Sequence, residues 1–213
     1  IGVLDASELP PTFCTNPDLV QGIIAGGVPS LTRSSESLED LSEIAISDLK
    51  DRNFSSRDVL IGITASGRTP YVFAALNYSK SINALTISIS SVPESDSTID
   101  NDIDIRLITG PEILAGSTRL KAGTATKMAL NIISTSVMIK LGKVYQNRMI
   151  DLSVSNDKLM DRAISILFDI GSVDKETAVQ LLKKTNGSVK LSLLIALTAV
   201  SYTHLTLPTI LRV

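Results

Sequence analysis

Residues 58–76, DVLIGITASGRTPYVFAAL, contain the pattern that most restricts the fold of this chain. The first part, 58–64, is a short apolar run typical of a buried strand. A helical pattern begins directly afterwards at Pro70, and proline is favoured in the first turn of a helix. The connecting loop consists of Ser66, Gly67, Arg68 and Thr69. A strand that passes at once into a helix predicts a parallel α/β sheet.

The same alternation of strands and helices continues along the chain. Further strand-like runs are found at residues 18–26, 84–90 and about 103–108. Apolar residues at helical spacing occupy 34–53, where Ser34 and Ser35 can cap the helix. A long helix is predicted from about 117 to 141, with Gly142 placed to end it. We therefore expect an α/β fold with a three-layer parallel sheet that has helices on both faces.

Strands are no longer predicted after Asp151. Three short helical patterns follow, at about 156–168, 173–184 and 188–200. The sequence thus predicts a sheet domain over 1–152 and a small C-terminal helical appendage over 153–200. The last residues, 201–213, read SYTHLTLPTILRV and fit neither a helix nor a polar tail. We interpret them as a non-native tail.

Composition and charge narrow the classes of partner. The formal net charge is −2 and no basic stripe stands out, which argues against nucleic acid or an acidic membrane as the main partner. The longest apolar run, LSLLIALTAV at 191–200, is too short to span a bilayer. The single cysteine, Cys14, allows no disulfide within the chain and favours a reducing compartment.

Two loops carry residues that suit an anionic ligand. The Ser66 loop adds hydroxyl groups, a glycine and an arginine to a helix N-terminus, where free N–H groups favour a phosphate. A plain strand-to-helix turn explains the same loop equally well, and no P-loop motif is present. A second helix N-terminus, within 110–127, supplies Ser117, Thr118, Arg119 and Lys121. Arg119 and Lys121 could equally belong to an ordinary solvated face of the helix, with no ligand.

Five segments, in order, resemble the N-acetylmuramic acid 6-phosphate etherases, which belong to the sugar isomerase (SIS) fold group. They read LDASELPPTF, GIIAGG, ITASGRTPYV, GPEILAGSTRLKAGTATK and LGKVYQNRMIDL, and the resemblance runs from Ile1 to about Val200. It implies an SIS-type sheet and both loops as the sugar-phosphate site. The glucokinase regulatory protein is similar in the same loops, so a regulator that binds sugar phosphate without catalysis is the alternative.

The resemblance also implies an activity. Members of the family are cytoplasmic, homodimeric lyases that use no metal and no other cofactor, and the resemblance implies the same for this chain. They cleave the D-lactyl ether of N-acetylmuramic acid 6-phosphate, giving N-acetylglucosamine 6-phosphate and D-lactate, in the recycling of cell-wall sugar. Their two functional glutamates correspond to Glu8 and Glu39. Before Glu39 this chain has Ser37 and Leu38, where the family has smaller residues.

The resemblance further implies a strand and a second phosphate loop before Ile1. We expect that strand to be central, between strands near Leu19 and Val59. Residues 1–213 alone are then expected to be loosely folded and inactive. A sugar phosphate isomerase of the same fold is a third possibility, which the GSTRLKAGTATK segment disfavours.

Overall fold

A computed structural model of the 213-residue chain describes residues 1–33, 36–97, 100–152, 154 and 156–198. Its helices are α1 (Gly2–Phe13), α2 (Ser42–Lys50), α3 (Pro70–Ser81), α4 (Lys121–Lys140), α5 (Asp157–Gly171), α6 (Lys175–Lys184) and α7 (Val189–Thr198). Its strands are β1 (Val59–Ile63), β2 (Leu85–Ser90), β3 (Ile103–Arg106), β4 (Val144–Tyr145) and β5 (Arg148–Met149). The described chain forms two compact units, 1–6 with 21–132, and 7–20 with the residues from 133 onward.

The first unit is built on a parallel sheet. In the described part of the chain, this sheet has three strands in the order β1-β2-β3. Val59 pairs with Leu85, and Ile87 pairs with Ile103, all in parallel register. These strands match three of the sequence-predicted runs, so the parallel α/β fold is confirmed.

The two faces of the sheet are covered by different helices. Gly62 of β1 faces α3 so closely that an added Cβ atom would lie 2.9 Å from side-chain atoms of both Val72 and Leu76. Ile63 points to the opposite face because side chains alternate along a strand. There, a Cβ on Gly2 of α1 would lie 3.5 Å from Ile63. Helices therefore contact both faces, as the sequence predicted.

Helices α2 and α3 form the core of the first unit. Ala45, Leu49, Tyr71 and Ala75 are buried together between them. The Tyr71 hydroxyl donates a hydrogen bond of 2.5 Å to Asp48 Oδ2. Burial and this bond raise the pKa of the Tyr71 phenol well above its usual range, so the phenol remains a neutral donor.

The predicted strand at 18–26 is wrong. Residues 18–27 form turns and irregular backbone. Gly26 and Gly27 have φ angles of +82° and +65°, which an extended strand does not allow. Ile23 is partly buried by packing against the α2 and α3 cluster, so its apolar character reflects helix packing.

Two predicted helix boundaries also differ. The segment 34–53 contains a 3-10 turn (Glu36–Asp40) followed by α2, because Leu41 is extended with φ −88° and ψ 93°. The proposed caps Ser34 and Ser35 lie outside the described residues. Helix α4 begins at Lys121, since residues 118–120 form turns. Its predicted end is confirmed, with Gly142 at φ +69°.

The second unit contains the C-terminal helices. Asn156 Oδ1 accepts from the Leu159 N–H at 2.9 Å to cap α5, and Asp174 Oδ1 accepts from the Thr177 N–H at 2.7 Å to cap α6. The core shared by α5, α6 and α7 includes Ile166, Leu167, Leu182, Val189 and Leu193. The three predicted helices are thus confirmed. The tail 201–213 lies outside the described residues.

Candidate functional site

The carboxyl end of β1 carries a cluster of hydroxyl groups. Thr64, 4% exposed, places its Oγ1 2.8 Å from Thr69 Oγ1 and 3.5 Å from Ser66 Oγ. The Arg68 N–H donates to Ser66 Oγ at 3.3 Å, and the Gly67 N–H donates to the Thr64 carbonyl at 3.1 Å. The loop is therefore a tight turn around Thr64, with Ser66 exposed in the loop that leads into α3.

Gly67 is the position where this loop requires glycine. Its φ of +65° lies in the left-handed region, and an added Cβ would be 2.8 Å from Ser97 Cβ and Oγ and 3.2 Å from Val92 Cγ2. The Ser97 hydroxyl also donates a hydrogen bond to the Gly67 carbonyl. The Ser66 loop is thus packed directly on the segment that follows β2.

Arg68 is held on that same segment. Its Nε and Nη2 donate to the Asp96 carbonyl oxygen at 3.2 and 2.8 Å. Arg68 remains exposed, so its charge is available at the loop surface while its position is restrained. This arrangement suits recognition of an anion by a fixed guanidinium group.

Sequence reasoning missed a polar ladder between β2 and β3. Thr86 Oγ1 donates to Asp102 Oδ2 at 2.8 Å, and Ser88 Oγ donates to Asp104 Oδ1 at 2.5 Å. Arg106 Nε continues the ladder to Asp104 Oδ2 at 2.6 Å. Backbone and side-chain hydrogen bonds from Thr86 hold the pKa of Asp102 below its usual range. The alternating hydroxyls of TISIS and the acids of DIDIR were the available signal.

Arg106 connects this ladder to the Ser66 loop. Its Nη2 donates to the Ser97 carbonyl at 2.8 Å, and its Nη1 donates to the Val92 carbonyl at 3.3 Å. Because Ser97 also packs against Gly67, the ladder, the segment after β2 and the loop are joined by hydrogen bonds. Arg106 therefore holds the segment after β2, on which the Ser66 loop packs.

The second predicted anion site differs from the sequence expectation. Glu112 accepts from the N–H groups of Lys121 and Ala122 at 3.0 and 2.9 Å, so an internal carboxylate caps α4. These backbone bonds hold the pKa of Glu112 below its usual range. The Lys121 ammonium donates to the Thr109 carbonyl at 2.9 Å. The cap explains why α4 starts at Lys121.

The remaining predicted residues of this segment precede α4. Ser117 is half-buried and donates its N–H to the Leu114 carbonyl at 3.0 Å, whereas Thr118 and Arg119 are exposed. An open depression is lined by Arg119, Leu120, Lys121, Thr124, Ala125 and Met128. Arg119 and Lys121 therefore place positive charge at this depression, beside the exposed Thr124 hydroxyl.

The two predicted glutamates lie on different elements. Glu8 is exposed on α1, whose Leu9 and Phe13 are buried against Met138 in the second unit. Glu39 is exposed in the 3-10 turn of the first unit.

The described part of the chain contains neither a cluster suited to a metal ion nor a helix suited to cross a membrane. No group of three or more histidine, cysteine, aspartate or glutamate side chains there could hold a metal ion. Within the same residues, every helix is too short or too polar to cross a membrane.

Comparison with protein families identifies three matching regions. A model of the N-terminal SIS domain of glucokinase regulatory protein matches residues 1–80. A SIS domain model matches residues 42–136, which include the Ser66 loop and the start of α4. A model of the C-terminal lid domain of glucokinase regulatory protein matches residues 146–204. The SIS-type fold predicted from the sequence is thus confirmed.

Curated relatives share most of this sequence. A protein of Prochlorococcus marinus (strain NATL1A), called N-acetylmuramic acid 6-phosphate etherase, is 91% identical over 197 residues, covering 92% of this chain and 64% of that protein. Relatives of the same name from Parasynechococcus marenigrum (strain WH8102) and Prochlorococcus marinus (strain MIT 9303) are 57% and 58% identical. These two alignments cover 92% and 91% of this chain, and 62% and 61% of the relatives. The resemblance found in the sequence is confirmed.

Proposed function

We propose that this chain, which carries a SIS domain, acts as an N-acetylmuramic acid 6-phosphate etherase. Such a lyase cleaves the D-lactyl ether of its substrate and leaves N-acetylglucosamine 6-phosphate and D-lactate. The observation that carries this proposal is the 91% identity with the Prochlorococcus marinus protein of that name. Because the chain spans 64% of that relative, we propose the activity for a protein of the relative's full length.

The sugar phosphate is proposed to bind at the Ser66 loop and at the segment before α4. Ser66 and Thr69 supply hydroxyl donors at the start of α3, Gly67 lets the backbone approach closely, and Arg68 supplies a restrained positive charge. Ser117, Thr118, Arg119 and Lys121 are proposed to contact the same ligand. The cap by Glu112 already occupies two α4 amides, so side chains of this segment are the proposed donors.

The reaction needs a group that can accept and then give a proton. A base removes the proton beside the aldehyde of the open-chain sugar, and the electrons of that C–H bond form a double bond as the lactyl ether oxygen leaves. The leaving oxygen takes up a proton to give D-lactate, and water then adds across the double bond. A carboxylate can serve as base and then as acid.

We propose Glu8 for that role and Glu39 for ring opening or a second proton transfer. Both side chains are exposed, so both can reach a ligand in solvent. Glu8→Gln keeps the size of the side chain but cannot carry the proton. Positioned acid–base groups contribute roughly 10²–10⁴-fold to rate. We therefore expect at least about a 100-fold slower release of D-lactate.

We further propose that the protein is cytoplasmic and forms a homodimer, and that 1–152 is the sugar-phosphate domain and 153–200 the helical appendage. The single cysteine fits a reducing compartment. Met128, Ile132 and Ile139 expose an apolar stripe along α4 at spacings of four and seven residues, which a second copy could cover.

The alternative function is a regulator that binds sugar phosphate without catalysis. It is favoured by the glucokinase regulatory protein models that match residues 1–80 and 146–204. The two functions are separated by an assay on the extended protein, meaning this chain completed with the remaining residues of the NATL1A relative. The etherase releases D-lactate from N-acetylmuramic acid 6-phosphate, whereas the regulator binds the sugar phosphate and releases none.

A further inference from the structure

The ion pair between Asp5 and Lys127 of the first unit is largely removed from solvent. Lys127 Nζ of α4 lies 2.6 Å from Asp5 Oδ1 of α1, and their side chains are 30% and 10% exposed. In contrast, the side chains of the Lys80–Asp100 pair are 43% and 86% exposed. Because the first pair is less exposed, water screens the attraction between Asp5 and Lys127 less than that between Lys80 and Asp100. The Asp5–Lys127 pair joins α1 to α4, which begins at the proposed ligand-binding residue Lys121.

The first turn of α1 is closely packed around this pair. A Cβ added to Gly22 would overlap the backbone of Val3, and one added to Gly123 would lie 3.6 Å from Ile1 Cδ1. Gly2 approaches β1 in the same way, at 3.5 Å from Ile63. The beginning of α1 therefore has little freedom to shift while the pair is intact.

Glu8 lies on the same helix, three residues after Asp5. Residues at this spacing lie on adjacent turns of one helix face. Pro10 and Pro11 follow within α1, and each lacks the N–H that would bond to the preceding turn. The helix is thus weakened around Glu8, and the turn that contains Asp5 anchors it on the N-terminal side.

We propose that the Asp5–Lys127 pair is a positioning device for Glu8. By bonding α1 to α4 at Asp5, it fixes the direction in which α1 presents the Glu8 carboxylate. Neither residue of the pair takes or gives a proton in the reaction. This inference rests on the proposed etherase function, because it assigns the reacting carboxylate to Glu8.

A positioning role for the pair affects turnover and leaves substrate binding almost unchanged. A misplaced catalytic group can lower the rate on the order of 10²-fold, even when the mutation is remote from the reaction. Asp5→Asn and Lys127→Met in the extended protein should therefore lower kcat at least about tenfold and leave KM within about threefold. Lys127→Arg restores the cation and should keep most of the activity. A merely structural role predicts a lower melting temperature without this split between kcat and KM.

A double variant adds a test of coupling. If the two side chains act as one unit, Asp5→Asn combined with Lys127→Met should lower kcat no further than the worse single change. The matched control is Asp100→Asn, which breaks the exposed pair with Lys80 and should leave kcat unchanged. Rates are measured well below the melting temperature of every variant. If Lys127→Met does not fold, Asp5→Asn and Lys127→Arg decide the question.

The possible outcomes distinguish the two claims. An extended protein that releases no D-lactate refutes the proposed function and the positioning role with it. An active extended protein whose kcat is unchanged by Asp5→Asn and Lys127→Met refutes only the positioning role. Equal losses in Lys127→Arg and Lys127→Met would also overturn it, because the arginine keeps the charge that the pair requires.

Discussion

Gly67→Ala tests whether the Ser66 loop depends on its contact with the segment after β2. The substitution places an L-residue at φ +65°, which costs about 1–2 kcal/mol. Its Cβ would also stand 2.8 Å from Ser97 Cβ and Oγ, so the serine must move. Overpacking of this kind typically costs about 1–3 kcal/mol. We expect a total loss of about 2–5 kcal/mol of unfolding free energy.

Gly110→Ala is the matched control for this prediction. Gly110 has nearly the same φ, +67°, but no heavy atom lies within 4 Å of an added Cβ. It should lose only the backbone contribution of about 1–2 kcal/mol. The effect of alanine on the unfolded chain is the same for both changes and cancels in their difference. That difference, about 1–3 kcal/mol, measures the contact with Ser97.

Urea denaturation of the extended protein and both variants supplies the measurement. The linear dependence of the unfolding free energy on urea gives each loss directly. Gly67→Ala should also weaken the binding of glucosamine 6-phosphate. A displaced Ser97 also displaces the Ser66 loop, which is the proposed phosphate site. Equal losses for the two alanine variants would refute the packing argument.

Two further predictions concern single side chains. Ser66→Ala should weaken glucosamine 6-phosphate binding about tenfold to more than 100-fold, since a hydrogen bond to a charged group contributes about 1.5–3 kcal/mol. Unchanged affinity by calorimetry would mean that the Ser66 hydroxyl does not contact the ligand. Glu112 has a lowered pKa in the folded state, so its stabilising effect is present at neutral pH and is lost as the pH falls through that pKa. Glu112→Gln should thus destabilise the extended protein most near neutral pH. The difference in unfolding free energy between the two proteins should shrink below about pH 4. A difference that does not depend on pH would exclude the carboxylate cap.

The sequence predicted the elements whose signals are local. The run before Ser66 and the proline after Thr69 lie within a few residues, and β1 and α3 are found where these signals place them. The apolar residues around Ile23 gave an equally local signal that proved misleading. Their burial depends on packing against helices far away in sequence, which the periodicity of a short run does not reveal.

Non-local bonds explain the features that the sequence did not predict. Glu112 caps α4 from nine residues away, and Arg106 supports the Ser66 loop through the Ser97 carbonyl. Neither contact follows from spacing along one element. The assignments of Glu8 and Glu39 came from the family resemblance alone, because an exposed glutamate has no distinguishing local pattern.

The route of the oxygen atoms tests the proposed reaction most directly. The extended protein is incubated with N-acetylmuramic acid 6-phosphate in water enriched in oxygen-18, and both products are analysed by mass spectrometry. Elimination followed by addition of water predicts label in N-acetylglucosamine 6-phosphate at the carbon that bore the lactyl group, besides the aldehyde oxygen that exchanges with water, and none in D-lactate. Label in D-lactate, or bound substrate with no product, would contradict the account.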